Sequence, residues 1–158
     1  MSNICVYIEV PAYLRQYLYH HFGDPVVFDR NLPQNKLIKL LINKQPRDSV
    51  PEFPSEESVS VAIPDQPYKP AENWNYLSPD AKKALVESIK NTFDVHLFQD
   101  LQKILPLGVN LLTAIRSWMR NNGIDIEYDL TIRQKYYRVR DAFEKAGIDL
   151  KRDRRFSD

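Results

Sequence analysis

The segment LTIRQKYYRVRDAFEKAG, residues 130–147, decides how the C-terminal half of the chain reads. Read as a helix, it places Ile132, Tyr136, Val139 and Phe143 on one side, at alternating spacings of four and three residues. The opposite side carries Arg133, Gln134, Tyr137, Arg138 and Lys145, with Lys135 and Arg140 on the flanks. One face suits an apolar core and the other a polar, anionic partner. The helix expected before it, over 109–122, buries Leu111, Leu112, Ile115, Trp118 and Met119 and leaves Arg116 and Arg120 outside. It stops at Asn121-Asn122-Gly123, and Asp129 or Thr131 is expected to cap the next helix. Helix, tight glycine turn and arginine-rich helix together have helix-turn-helix character.

Upstream, Ser78-Pro79-Asp80 signals a helix start: an N-cap serine, proline in the first turn and an acid behind it. The stripe Leu85, Ile89 and Phe93 continues into Leu97, Leu101 and Ile104, either as one helix or as two with Asp94 capping the second. Pro106 and Gly108 end it. The C-terminal half therefore holds three or four helices. Ile126 and Tyr128 suit a short extended piece between the last two.

The N-terminal half has a different grammar. Ile4, Val6, Ile8 and Val10 alternate with Cys5, Tyr7 and Glu9, the period of a strand, which could be central or at an edge. Pro11 opens a helix over 12–22 whose Leu14, Tyr17, Leu18 and Phe22 face inward, and Gly23 closes it. Val26-Val27-Phe28 is strand-like. A second helix over 34–43 carries Leu37, Ile38, Leu40 and Leu41 as its apolar set, with Lys36 and Lys39 outside. Prolines 46, 51 and 54 mark a loop, and Val59, Val61 and Ile63 a third strand. The expected fold is α+β: a small three-stranded β-α-β-α-β unit over 1–64, a proline-rich connector over 65–76, and a helical unit over 77–158 with a basic tail. Each half is small for independent stability, so the two could share one core.

Composition narrows the function. The single cysteine, Cys5, excludes an internal disulfide and a cysteine-based zinc site. No run approaches the ~20 apolar residues of a membrane span, and no basic leader is followed by a long apolar stretch. A cytoplasmic location without membrane contact is expected. Four glycines leave little material for a phosphate-cradling loop, and no Ser/His/Asp signature is present. His20 and His21 are adjacent, so on a helix they point about 100° apart and suit no shared metal. No catalytic residue, metal or cofactor is expected. Charge is uneven: residues 1–106 are net −2 and residues 107–158 net +3.

The segments YLRQYLYHHFGDPVVF (13–28) and IRQKYYRVRDAF (132–143) resemble uncharacterised proteins encoded by prophages and mobile elements of Bacteroides-type bacteria. The resemblance implies a mobile-element context and no established chemistry. It transfers no site residues.

The expected function is non-enzymatic binding of nucleic acid, double-stranded DNA before RNA. Arg116, Arg120, Arg133, Gln134, Tyr137, Arg138 and Lys145 would contact phosphates and bases, with Lys151, Arg152, Arg154 and Arg155 beside them. A ribbon-helix-helix reading of the first strand is weaker, because that strand offers no Arg, Lys, Asn or Gln to a base. The alternative function is a protein-interaction or structural accessory module, using the first strand and the loop aromatics Tyr68, Trp74 and Tyr76. A homodimer fits either reading.

Overall fold

The computed structural model describes residues 4–147. These form five α-helices and a two-stranded antiparallel sheet, a mixed α+β fold. They divide into two compact units at Lys90/Asn91.

In the first unit, strand β1 (Cys5–Glu9) leads through Pro11 into helix α1 (Ala12–Phe22). The alternation sorts as its period demands: Val6, Ile8 and Val10 are buried, Cys5 and Tyr7 half-buried, Glu9 exposed. Tyr13, Leu14, Tyr17 and Leu18 form the buried face of α1. Gly23 ends the helix at φ 82°, which a side chain would resist, and its N–H donates to the Tyr19 carbonyl. Strand β2 (Ser58–Ala62) pairs antiparallel with β1, Val6 opposite Val61 and Ile8 opposite Val59.

Three strands were expected here, and the described residues form two. Val26 makes a single parallel bridge to Val61 on the far side of β2, through Val26 N–H to Ser60 O (2.8 Å) and Ala62 N–H to Val26 O (2.9 Å). The segment does not extend, because the Asn35 amide donates to the Phe28 carbonyl at 2.9 Å and takes the acceptor a longer ladder would use. Among the described residues β1 pairs with β2 alone.

Helix α2 (Pro33–Leu41) corrects a second expectation. Its inward residues are Gln34, Asn35 and Ile38, while Leu40 is 78% exposed. The Gln34 amide donates to the Ser88 carbonyl (3.2 Å) and hydroxyl (3.1 Å), so polar side chains occupy the buried face by bonding there. Ile38→Ala is expected to cost about 2–5 kcal/mol and Leu40→Ala less than about 0.5 kcal/mol, read from urea unfolding midpoints. Similar costs at the two positions would contradict this orientation.

Residues 65–76, the proline-rich connector of the sequence, lie within the first unit. Ala71 and Leu77 are buried, and Asn43 and Tyr76 exchange backbone hydrogen bonds at 2.9 and 3.0 Å. Trp74 lies against the chain with the ammonium groups of Lys44 and Lys69 at 5.5 and 5.2 Å from its ring centroid.

Helix α3 (Pro79–Ile104) is one continuous helix, capped by the Ser78 hydroxyl accepting from Ala81 N–H at 3.1 Å. Asp94 caps nothing, because the backbone around it is already helical. In the second unit, α4 (Leu111–Asn121) begins at Asn110, whose side chain accepts from Leu112 N–H at 2.9 Å. Helix α5 (Asp129–Lys145) follows a 3₁₀ turn at Ile126–Tyr128. That turn replaces the expected extended piece, since the Asp125 carboxylate caps it through Glu127 N–H at 2.9 Å. Phe93, Leu97, Leu101, Ile115, Met119, Ile132 and Tyr136 fill this unit's core.

Candidate nucleic-acid interface

The α4–α5 pair is built by packing behind and a tight turn between. Ala114, Ile115, Trp118 and Met119 are the buried side of α4. Asn122 is buried and its amide donates to the Trp118 carbonyl at 2.7 Å, while Ile124 N–H reaches Met119 O at 2.9 Å. Gly123, at φ 74°, reverses the chain between them. Only residues 122–125 then separate α4 from the 3₁₀ turn that leads into α5.

Helix α5 is held by two fully buried side chains, Ile132 and Tyr136, with Val139 and Phe143 half-buried along the same stripe. The Tyr136 ring stacks on Phe98 at 5.8 Å, and its hydroxyl accepts from the Gln102 amide at 3.3 Å. Phe143 meets Phe98 edge-on at 4.7 Å. These contacts fix which side of α5 faces out. Lys135 adds an ion pair to Asp94 at 2.9 Å, whose alignment falls short of a hydrogen bond.

Four of the seven expected contact residues share that outward face. Gln134, Tyr137, Arg138 and Lys145 are exposed and fall at helical spacings along it. Arg133 lies half-buried at its edge. Arg120, on α4, is exposed. Arg120, Arg133, Arg138 and Lys145 make no ion pair with any described residue.

Arg116 stands apart. Its Nε and Nη2 both lie 2.9 Å from one oxygen of Asp129, in the first turn of α5. Asp129 therefore does not cap the helix. Its carboxylate ties α4 to α5, and its charge favours the positive helix start. Arg116 is exposed and Asp129 half-buried, so Asp129→Asn is expected to lower stability by no more than about 1 kcal/mol. The same change releases Arg116, so affinity for duplex DNA should rise in an anisotropy titration. Unchanged affinity would leave Arg116 a purely structural brace.

The sequence also allows a solvated helix whose arginines meet Asp141, Glu144 and other carboxylates, and the face carries some of these neutralising features. Asp141 lies within it, Glu144 beside it, and Leu130 is 52% exposed at its start. Arg140, at the flank, places its guanidinium 4.9 Å over the Tyr137 ring and 3.5 Å from Asp141. One ring face of Tyr137 is thereby occupied. The basic residues expected at 151–155 lie outside the described residues.

Elsewhere the chemistry is quiet. Among the described residues, no group of three or more His, Cys, Asp or Glu side chains is placed to hold a metal ion. None of the described helices is long and apolar enough to cross a membrane. Burial, and secondarily the charge of Asp24, push the Cys5 thiol above its usual range, so it stays protonated near neutral pH. No family model, curated protein or solved structure matches the chain.

Proposed function

We propose that the protein binds double-stranded DNA without catalysis, through the outward face of α5. Arg133, Arg138 and Lys145 would take phosphates, Gln134 and Tyr137 would meet base edges, and Arg120 of α4 would hold the flanking backbone. The observation that carries this reading is the set of unpaired cations on a helix whose other side is fixed by Ile132 and Tyr136. A side chain already committed to a carboxylate would have to give it up to bind phosphate. Arg133, Arg138 and Lys145 have no such partner among the described residues, while Arg116 does. A mobile-element role in the cytoplasm, in keeping with the resemblance of residues 13–28 and 132–143, belongs to the same proposal.

Binding to random duplex DNA, followed by anisotropy at about 50 and 200 mM salt, tests it directly. Affinity should fall steeply between the two, because each phosphate neutralised releases condensed counterions. No binding at the lower salt would overturn the reading.

A further inference from the structure

We propose that the outer face of α2 docks an acidic amphipathic helix of a partner protein. The helix is amphipathic in the reverse sense. Its buried side is Gln34, Asn35 and Ile38, held by the Gln34 bonds to Ser88 and the Asn35 bond to the Phe28 carbonyl. Its leucines fall elsewhere: Leu37, Leu40 and Leu41 stand at i, i+3 and i+4, the spacing of one helical ridge. Leu37 is half-buried, Leu41 is 38% exposed and Leu40 78% exposed. A leucine as exposed as Leu40 contributes little to folding. A ridge of this spacing packs into the groove of a second helix.

Charge selects the partner. Residues 33–47 hold Lys36, Lys39, Lys44 and Arg47 and no Asp or Glu. The connector adds Lys69, whose ammonium donates to the Lys39 carbonyl at 3.3 Å and lies 5.2 Å from the Trp74 ring centroid, with the Lys44 ammonium 5.5 Å from the same ring. Lys36, Lys39, Lys44 and Lys69 form no ion pair with a described residue. The Lys69–Lys39 bond also holds the loop of Tyr68, 93% exposed, within a lysine's reach of the last turn of α2. Exposed leucines and a tyrosine bordered by lysines are matched by apolar side chains flanked by carboxylates.

Other occupants fit less of this surface. A second copy would set lysines against lysines, because a two-fold interface pairs a patch with itself. Duplex DNA would take the ammonium groups and leave Leu40 and Leu41 with no apolar partner. A helix lying in a lipid surface buries an apolar face along its length, whereas here the exposed leucines are confined to the last turn. At nine residues α2 is roughly 14 Å long, so the contact is small and readily reversible. None of these residues belongs to α5, so the inference stands apart from DNA binding.

The test is a displayed library of short helical peptides with a fixed leucine stripe and flanks randomised among Glu, Gln, Ala and Lys, selected on the full-length chain. Recovered peptides should be enriched in Glu at the flanks and depleted in Lys. Leu40→Ser, which removes the apolar contact, and Lys36→Glu, which reverses a charge, should each weaken their binding about tenfold in anisotropy. Both positions are exposed, so the thermal melt should not change. No recovered peptide, no preference for Glu over Lys, or affinity indifferent to either substitution overturns the proposal. So does a dimer in sedimentation that Leu40→Ser dissociates, which gives the face to a second copy. Flotation with phosphatidylserine vesicles that Leu40→Ser abolishes overturns it too, and gives the face to a lipid surface.

Discussion

Reversing both charges in Arg133→Glu/Arg138→Glu is expected to lower affinity for duplex DNA by about a hundredfold or more. Each charge-assisted hydrogen bond to phosphate contributes about 1.5–3 kcal/mol, and each new glutamate repels the phosphate that the arginine would have bound. The dependence of binding on salt should flatten as well, by about one unit of slope for each phosphate no longer neutralised. Neither arginine is committed to a described carboxylate, and Arg138 is exposed, so far-UV circular dichroism should be unchanged. Arg116→Ala serves as the contrast. It removes a brace to Asp129 and should affect stability slightly and binding little. If the double reversal binds duplex as wild type does, α5 is not the helix that meets DNA.

Tyr136→Ala is expected to destabilise the second unit by about 3–5 kcal/mol, the range for truncating a buried aromatic. The side chain is 1% exposed, stacks on Phe98 and accepts the hydrogen bond of Gln102. The Gln102 carbonyl oxygen is already buried without a described partner, so losing the tyrosine hydroxyl would strand its amide too. Tyr136→Phe isolates that part and should cost about 1–3 kcal/mol. Against a total stability of about 5–15 kcal/mol, the alanine variant removes a large share. Urea unfolding of the wild type and both variants gives the comparison. A near-neutral Tyr136→Ala would mean that the outward face of α5 is misassigned, and the interface with it.

Helix periodicity was the most legible part of the chain. The spacing of Ile132, Tyr136, Val139 and Phe143 oriented α5 correctly, because a buried stripe repeats with the helix itself. Ser78 was equally readable, since its hydroxyl bonds only three residues away. The candidate interface was legible in outline: Gln134, Tyr137, Arg138 and Lys145 do share the outer face. What could not be read was which cations were already taken. Arg116 and Arg120 are equivalent in sequence, one turn apart on α4, yet only Arg116 meets Asp129. Nor does Asp94 announce its pairing with Lys135 across a long stretch of sequence.

The errors share a cause. Leu40 counted as core by hydropathy, while Gln34 and Asn35 took the buried side because Ser88 and the Phe28 carbonyl offered them partners. Val26–Phe28 had the composition of a strand but found one bridge.

By itself the sequence determined the α+β class, the approximate positions of the helices and the apolar stripes of α1, α3, α4 and α5, because these depend on bonds and side-chain periods within a few residues. Only the tertiary structure decided that β1 pairs with β2 alone among the described residues and that Arg116 is spent on Asp129. Those outcomes depend on pairings between residues far apart in the chain, and local pattern carries no record of which distant partner a side chain will meet.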